Sequence, residues 1–288
     1  MHIILGGTGH VGSALAQVLL QRGEPVTIIS SDPKKAGDWQ QKGATVAIAD
    51  MYDTEALRTV FQTGTRLFLL NPPAAPSTDT AAEERKTLAS ILEALAGSGI
   101  KKVVAESTYG AQPGDRVGDT GVLYEMEQAL KEKGLPSSII RAAYYMSNWD
   151  MSLSTAQQEG VVHTLYPPDF KLPMVAPDDL GQVAARLMME PLDKTGLYYV
   201  EGPELYSSAD VAAAFGAVLG KTVQAVETPR DKWIPALKAL GFSATGAGSM
   251  AAMTAITLEK KYDLPDSPLR GTTTLDEYIM SLIKTGNQ

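Results

Sequence analysis

The chain has 288 residues, 44% of them hydrophobic and 20% charged, enough for one large domain or two small ones of ordinary globular character. A formal net charge of −8 with no Lys/Arg run argues against a nucleic-acid partner. With no cysteine, disulfides, thiolate nucleophiles and Cys-ligated metals are excluded, and the isolated His2, His10 and His163 lack metal-ligand spacing, so no metal is expected. No stretch of about 18 apolar residues offers a membrane span. The first residues enter a strand with no room for a signal peptide, and a cytoplasmic protein is the default expectation.

In chain order, the first half alternates strands with helices. Strands are predicted at Ile3–Leu5, Val26–Ile29, Thr45–Ala49, Leu67–Leu70, Lys102–Ala105 and Ser138–Ile140. Helices are predicted near 11–22, 33–42, 54–61, 80–97 and 119–133, several ending on Gly23, Gly43, Gly97 or Gly134. Short loops between them suit right-handed βαβ crossovers. The expected fold class is α/β: a Rossmann-type, doubly wound parallel sheet over residues 1–150, with its ligand outside the carboxyl ends of the strands. Residues 151–288 form a smaller mixed α/β region expected to supply a substrate pocket, with about 174–202 packing back on the sheet. Within it, Leu153 to Pro173 lacks strong periodicity. Helices are predicted at 178–190, 207–219, 230–240, 246–260 and 275–284, with strands at Leu197–Val200 and Thr222–Glu227.

The first strand runs into Gly6-Gly7-Thr8-Gly9-His10-Val11-Gly12, followed by Val11, Leu15, Val18 and Leu19 on one helical face. Strand, glycine turn and helix together make a pyrophosphate site: glycine lets the anion approach backbone N–H groups at a helix N-terminus. The spacing is Gly6-x-x-Gly9-x-x-Gly12, and a plain tight turn is the competing reading. Two other motifs are set aside. Gly216 to Thr222 has three residues between its glycines where a P-loop needs four, and Gly220 reads as a helix cap. Asp178-Asp179 after Pro177 reads as first-turn acid favouring the helix dipole.

Taken in order, the glycine turn, Asp50-Met51-Tyr52-Asp53, Leu69-Leu70-Asn71-Pro72-Pro73, Gly99 to Val104 leading to Glu106-Ser107-Thr108, Arg141-Ala142-Ala143-Tyr144-Tyr145-Met146-Ser147-Asn148 and Arg270 to Leu275 resemble the NmrA-like branch of the short-chain dehydrogenase/reductase superfamily, the atypical group. Within that branch the likeness is to bacterial NAD(P)H quinone reductases and triphenylmethane-dye reductases. The resemblance implies that Thr8 to Val11 sit on a pyrophosphate and that Asp50 and Met51 flank the adenine. It further implies that Asn71-Pro72 run under the nicotinamide, and that Ser107, Thr108 and Tyr109 line its ribose. As plain residues, Asp50 and Asn71-Pro72-Pro73 also read as ordinary turn formers.

The cofactor choice turns on Ile29-Ser30-Ser31-Asp32-Pro33-Lys34-Lys35. The relatives usually carry Arg where this chain has Ser31. The hydroxyls of Ser30 and Ser31 with Lys34 or Lys35 suit a 2′-phosphate, whereas Asp32 suits the ribose hydroxyls of NAD or a helix cap. NADP is favoured and NAD remains open.

No tyrosine is followed by lysine four residues on; Tyr109 meets Pro113 and Tyr124 meets Gln128. Without a Tyr-x-x-x-Lys pair a nucleotide-sugar epimerase is disfavoured, and without a G-x-S-x-G elbow so is a serine hydrolase. Quinones, conjugated carbonyls and cationic dyes accept hydride with less help, so the protein chiefly aligns substrate and excludes water. Tyr144, Tyr145, Met146 and Trp149 suit a flat small-molecule acceptor, or else a packed domain seam. Tyr109 is the candidate catalytic proton donor, and Glu127 is expected on a solvated helix face. The leading expectation is an NAD(P)H-dependent reductase, monomer or homodimer. The alternative is a redox-sensing regulator that binds NAD(P) and a protein partner without turnover.

Overall fold

The computed structural model describes residues 1–115 and 117–286. The first half builds β1 (His2–Ile4), α1 (His10–Gln21), β2 (Val26–Ser30), a 3-10 turn (Pro33–Lys35) leading into α2 (Ala36–Gln41), β3 (Thr45–Ile48), α3 (Thr54–Phe61), β4 (Arg66–Leu69), α4 (Thr80–Leu95), β5 (Lys102–Thr108), α5 (Thr120–Glu132) and β6 (Ser137–Ala142). The second half adds β7 (Tyr144–Tyr145), a 3-10 turn (Met146–Ser152), α6 (Leu153–Gln158), β8 (Val161–Thr164), β9 (Leu172–Val175), α7 (Pro177–Met189) and β10 (Gly196–Glu201). It closes with β11 (Leu205–Tyr206), α8 (Ser208–Leu219), β12 (Gln224–Glu227), a 3-10 turn (Arg230–Lys232), α9 (Trp233–Ala239), α10 (Ala244–Glu259), β13 (Leu269–Arg270) and α11 (Leu275–Gly286).

Eight strands form one sheet in the order β13-β10-β6-β5-β4-β1-β2-β3, every pairing parallel. This is the Rossmann-type doubly wound sheet, extended at one edge by two strands from the second half. The order reverses at β1, which pairs with β2 and β4 (Ile4 opposite Ile28 and Phe68). That is where a ligand cleft opens.

Alternation along the strands feeds two cores. Ile4, Phe68, Val104 and Ile140 pack under α1 and α7, while Ile3, Leu67, Leu69, Val103 and Ala105 pack under α3, α4 and α5. Each of these side chains larger than alanine contributes roughly 1.5–3 kcal/mol through burial. Helices α1 and α7 approach so closely that a Cβ on Gly181 would lie 2.6 Å from that of Ala14. A third core, with Met146, Trp149, Met174, Phe215 and Ile279, holds the second half together. There β9 pairs with β7 and β11, and β8 with β12. Among the described residues no helix is long and apolar enough to cross a membrane.

Gly220 caps α8 in the left-handed conformation at φ 66°, as its context suggests. Asp178 and Asp179 lie in the first turn of α7, but Asp179 is also buried and accepts the Thr273 N–H at 3.0 Å, anchoring the run into α11. The stretch from Leu153 to Pro173, which lacks a readable period, contains α6, β8 and the start of β9. Those elements are short and gain their pairing from residues far along the chain.

Candidate functional site

The glycine turn lies at the carboxyl end of β1. Gly6 adopts φ 67°, the Gly9 N–H donates to the Gly6 carbonyl at 2.9 Å, and α1 starts at His10 with no side-chain cap and no acid in its first turn. Helix geometry leaves the first N–H groups without internal acceptors, so this end attracts an anion. A Cβ on Gly12 would collide with the Gly6 carbonyl, 2.7 Å from its carbon. Val11 turns its side chain into the core, so only its N–H is available to a ligand. Thr8 is half-buried, and the exposed His10 has Nε2 3.8 Å from Asp150 Oδ2. Asp150 in turn accepts the Tyr278 hydroxyl at 2.8 Å, so α11 closes against the turn.

After β2, the Ser30 hydroxyl is spent within its own turn: it donates to the Asp32 carbonyl and accepts the Asp32 N–H at 3.1 Å. Asp32 caps the next turn by accepting the Lys34 N–H at 2.9 Å. Ser31, Lys34 and Lys35 are exposed. After β3, Asp50 accepts the Tyr52 N–H at 3.0 Å and lines a shallow depression with Tyr52 and Asp53, while Met51 packs against the core.

Asn71 after β4 is buried, and both ends of its amide bind the protein: Nδ2 donates to the Glu84 carbonyl at 3.0 Å and Oδ1 accepts from Thr87 at 2.9 Å. Asn71 therefore fixes the Asn71-Pro72 backbone on α4. Glu84 accepts the Ala74 N–H in the same loop, and burial, with Asp119 nearby, pushes its carboxyl up to about 7.

Beyond β5, Ser107 donates to Glu127 at 2.5 Å, turned toward α5. Glu127 is not a solvated surface acid; it is 8% exposed and grips Arg141 with bonds of 2.9 and 2.7 Å. Its burial follows from Arg141, which β6 places opposite it and which also donates to the Tyr199 hydroxyl at 2.9 Å. Thr108 is half-buried at the strand end. Tyr109 donates to Glu201 at 2.8 Å, and Glu201 is ion-paired with Arg270 at 3.0 Å. Burial first, then Glu201, raises the Tyr109 phenol well above its usual range. Its ring meets Tyr199 and Tyr262 edge-on at 5.2 and 6.2 Å.

After β6, Tyr144 and Tyr145 are half-buried, whereas Met146 and Trp149 are enclosed in the third core. Tyr144 meets Tyr166 edge-on at 6.0 Å, and Tyr166 stacks on Phe170. Tyr145 packs in the cluster that holds Leu70 and Tyr109, and its hydroxyl donates to Glu106 at 3.0 Å. Helix α10 lies over this edge: Ser243 binds the carbonyls of Pro76 and Thr78, and Ser249 accepts the Asp119 N–H. Sequence reasoning missed Glu106, Glu201 and the roles of Glu127 and Tyr199. An acid inside the apolar run of β5 was the available signal for Glu106.

A parallel doubly wound sheet with an uncapped glycine turn at its switch point defines a Rossmann-type nucleotide-binding protein. A model described as the NmrA-like family matches residues 2–279, and the chain belongs to that family. It is similar to the NAD(P)H azoreductase of Xenophilus azovorans, 24% identical over 258 residues covering 89% of this chain and 87% of the relative. It is also similar to quinone oxidoreductase 2 of Escherichia coli (strain K12), 24% identical over 295 residues covering 100% of both. The fold is shared with the Citrobacter sp. triphenylmethane reductase in complex with NADP(H), at TM-score 0.80 and 18% identity, covering 98% of this chain and 100% of that one.

Proposed function

We propose that the chain is an NAD(P)H-dependent reductase passing hydride to a quinone-like or other conjugated small-molecule acceptor. The observation that carries this reading is the uncapped, acid-free start of α1 after the carboxyl end of β1, with Tyr109 and Tyr144-Tyr145 following the carboxyl ends of β5 and β6 in the same parallel sheet. The residues fit a dinucleotide: Gly6, Gly9 and Gly12 keep the turn open to it, and the first N–H groups of α1 suit a pyrophosphate. Names of relatives over most of the chain, an azoreductase and a quinone oxidoreductase, support the same class.

In this reading Thr8 and the N–H groups of His10, Val11 and Gly12 hold the pyrophosphate. Asp50 and Met51 border the adenine, while the Asn71-Pro72 backbone and Thr108 border the nicotinamide end. Ser107 acts from behind, holding α5 through Glu127. A bound reduced nicotinamide supplies the hydride. The chain positions a flat acceptor with Tyr109, Tyr144 and Tyr145, Met146 and Trp149 setting the floor beneath them, and excludes water. Oxidation of NADPH and NADH by a panel of quinones, azo compounds, enones and cationic dyes tests the reading. Turnover with at least one acceptor is expected. Micromolar cofactor binding with no turnover overturns it in favour of a cofactor-sensing regulator.

NADP is the favoured cofactor. Ser31 and Lys35 point outward while Asp32 is engaged as a cap, so the cationic and hydroxyl groups are the ones free to meet a 2′-phosphate. Ser31→Arg is expected to tighten NADPH binding about tenfold and leave NADH binding within about twofold, since a guanidinium pairs bidentately with phosphate. Calorimetric titration checks this, and an unchanged NADPH affinity takes that position out of the phosphate site.

A further inference from the structure

Two tyrosine–glutamate pairs lie near the carboxyl ends of β5, β6 and β10, and they differ in one respect. Glu201 receives the Tyr109 proton while paired with the Arg270 guanidinium, so that phenol is bonded to a charge-compensated carboxylate. Glu106 accepts the hydrogen bond of the Tyr145 hydroxyl, and among the described residues no cation pairs with it. It is 4% exposed, and its Oε2 is buried with no hydrogen-bond partner among the described residues. A buried carboxylate without a cation or a second donor costs far more than the neutral carboxyl in the same place.

Building on the reductase reading above, we infer that Tyr145 and Glu106 form a proton supply for the acceptor, Tyr145 as the catalytic donor and Glu106 as the positioning residue that refills it. An acceptor such as a quinone or an azo compound, having received hydride from the reduced nicotinamide, carries a negative charge on oxygen or nitrogen. The Tyr145 hydroxyl, which donates to Glu106 at rest, turns to the acceptor, and its O–H bond breaks as an O–H or N–H bond forms there. The Glu106 O–H bond breaks as the Tyr145 O–H re-forms. Glu106 is left as a carboxylate and takes a proton from solvent after product leaves. Two electrons and one proton arrive with the hydride and the second proton comes from the pair, which balances the reduction.

The surroundings of Glu106 favour its protonated form. Burial pushes its carboxyl up to about 8, with the Tyr145 bond acting in the opposite sense, and no charged side chain from any described element contributes. Tyr145 is raised by burial and then by Glu106, with no other group acting on it. At neutral pH Glu106 therefore holds its proton.

The test compares Tyr145→Phe and Glu106→Gln with wild type on two acceptors: a quinone, which needs a proton after hydride, and a cationic triphenylmethane dye, which becomes neutral on hydride alone. Tyr145→Phe is expected to lower the ratio of quinone to dye turnover about 10²-fold, the usual range for a general acid. Glu106→Gln is expected to lower the same ratio and to abolish the fall in wild-type quinone turnover as pH rises through about 8. A readout without cofactor accompanies it. Because the folded pKa lies above the unfolded one, wild type loses stability relative to Glu106→Gln as pH rises from about 5 to about 9, read as a converging or crossing Tm. Equal losses on both acceptors, or a Tm difference independent of pH, overturn the inference while leaving the reductase reading standing. Wild type that reduces neither these two nor any other acceptor of the panel above overturns the reductase reading and this step with it.

Discussion

Replacing Glu127 with alanine is expected to lower the unfolding free energy by about 3–5 kcal/mol, because removing one member of a buried ion pair strands the other charge. The stranded group is Arg141, 8% exposed in β6, whose remaining recorded side-chain hydrogen bond is to the Tyr199 hydroxyl. Ser107 loses its acceptor in the same step. For a chain of this size the loss corresponds to a Tm decrease of roughly 6–10 °C. A double replacement, Glu127→Leu with Arg141→Met, is expected to recover much of it, since a buried pair exchanged for apolar side chains of similar volume is often neutral. Chemical denaturation checks both variants. A single-variant loss below about 0.5 kcal/mol, the size of an ordinary surface substitution, contradicts the buried network.

Replacing Gly12 with alanine is expected to weaken NADPH binding about 10²-fold, the scale of losing one or two charge-assisted hydrogen bonds. The added Cβ meets the Gly6 carbonyl and lies 2.9 Å from the Gly7 Cα, so the turn must move away from α1. That movement carries the Gly6–Gly9 bend, which the Gly9 N–H closes on the Gly6 carbonyl at 2.9 Å, out of line with the helix start. Fluorescence titration of NADPH reads the loss directly. Unchanged affinity in a folded variant means the pyrophosphate does not sit on this turn.

The sheet from β1 to β6 was legible because each unit announces itself: an apolar strand, a glycine or acid at the helix start, a periodic helix, a glycine at its end. Strand β6 extends beyond its predicted Ser138–Ile140 because it is paired on both sides, with β5 and β10. The helix predicted over 33–42 instead opens with a 3-10 turn held by Asp32. Strands β7, β8, β9, β11 and β13 were not legible. Each has only two to four residues, and what fixes them is a partner strand far along the chain.

At the site, the segments were readable but the use of each side chain was not. Ser30, Asn71 and Ser107 carry groups suited to a ligand, yet all three bind the protein itself. Whether a hydroxyl or an amide is free depends on the neighbour folding brings beside it, such as Glu127 twenty residues from Ser107. Glu127 looked like a surface residue for the same reason: its cation, Arg141, comes from another element.

The central claim is that one edge of the sheet holds a nicotinamide cofactor against an acceptor for direct hydride transfer. NADPH deuterated at the transferring position, mixed with enzyme and a cationic triphenylmethane dye, tests it most directly. Carbon receives the hydride in that acceptor, so the label does not wash out to solvent. Reduced dye one mass unit heavier, in amounts matching the NADPH consumed, is the expected result. Dye reduced with solvent hydrogen alone while bound NADPH is consumed contradicts the claim.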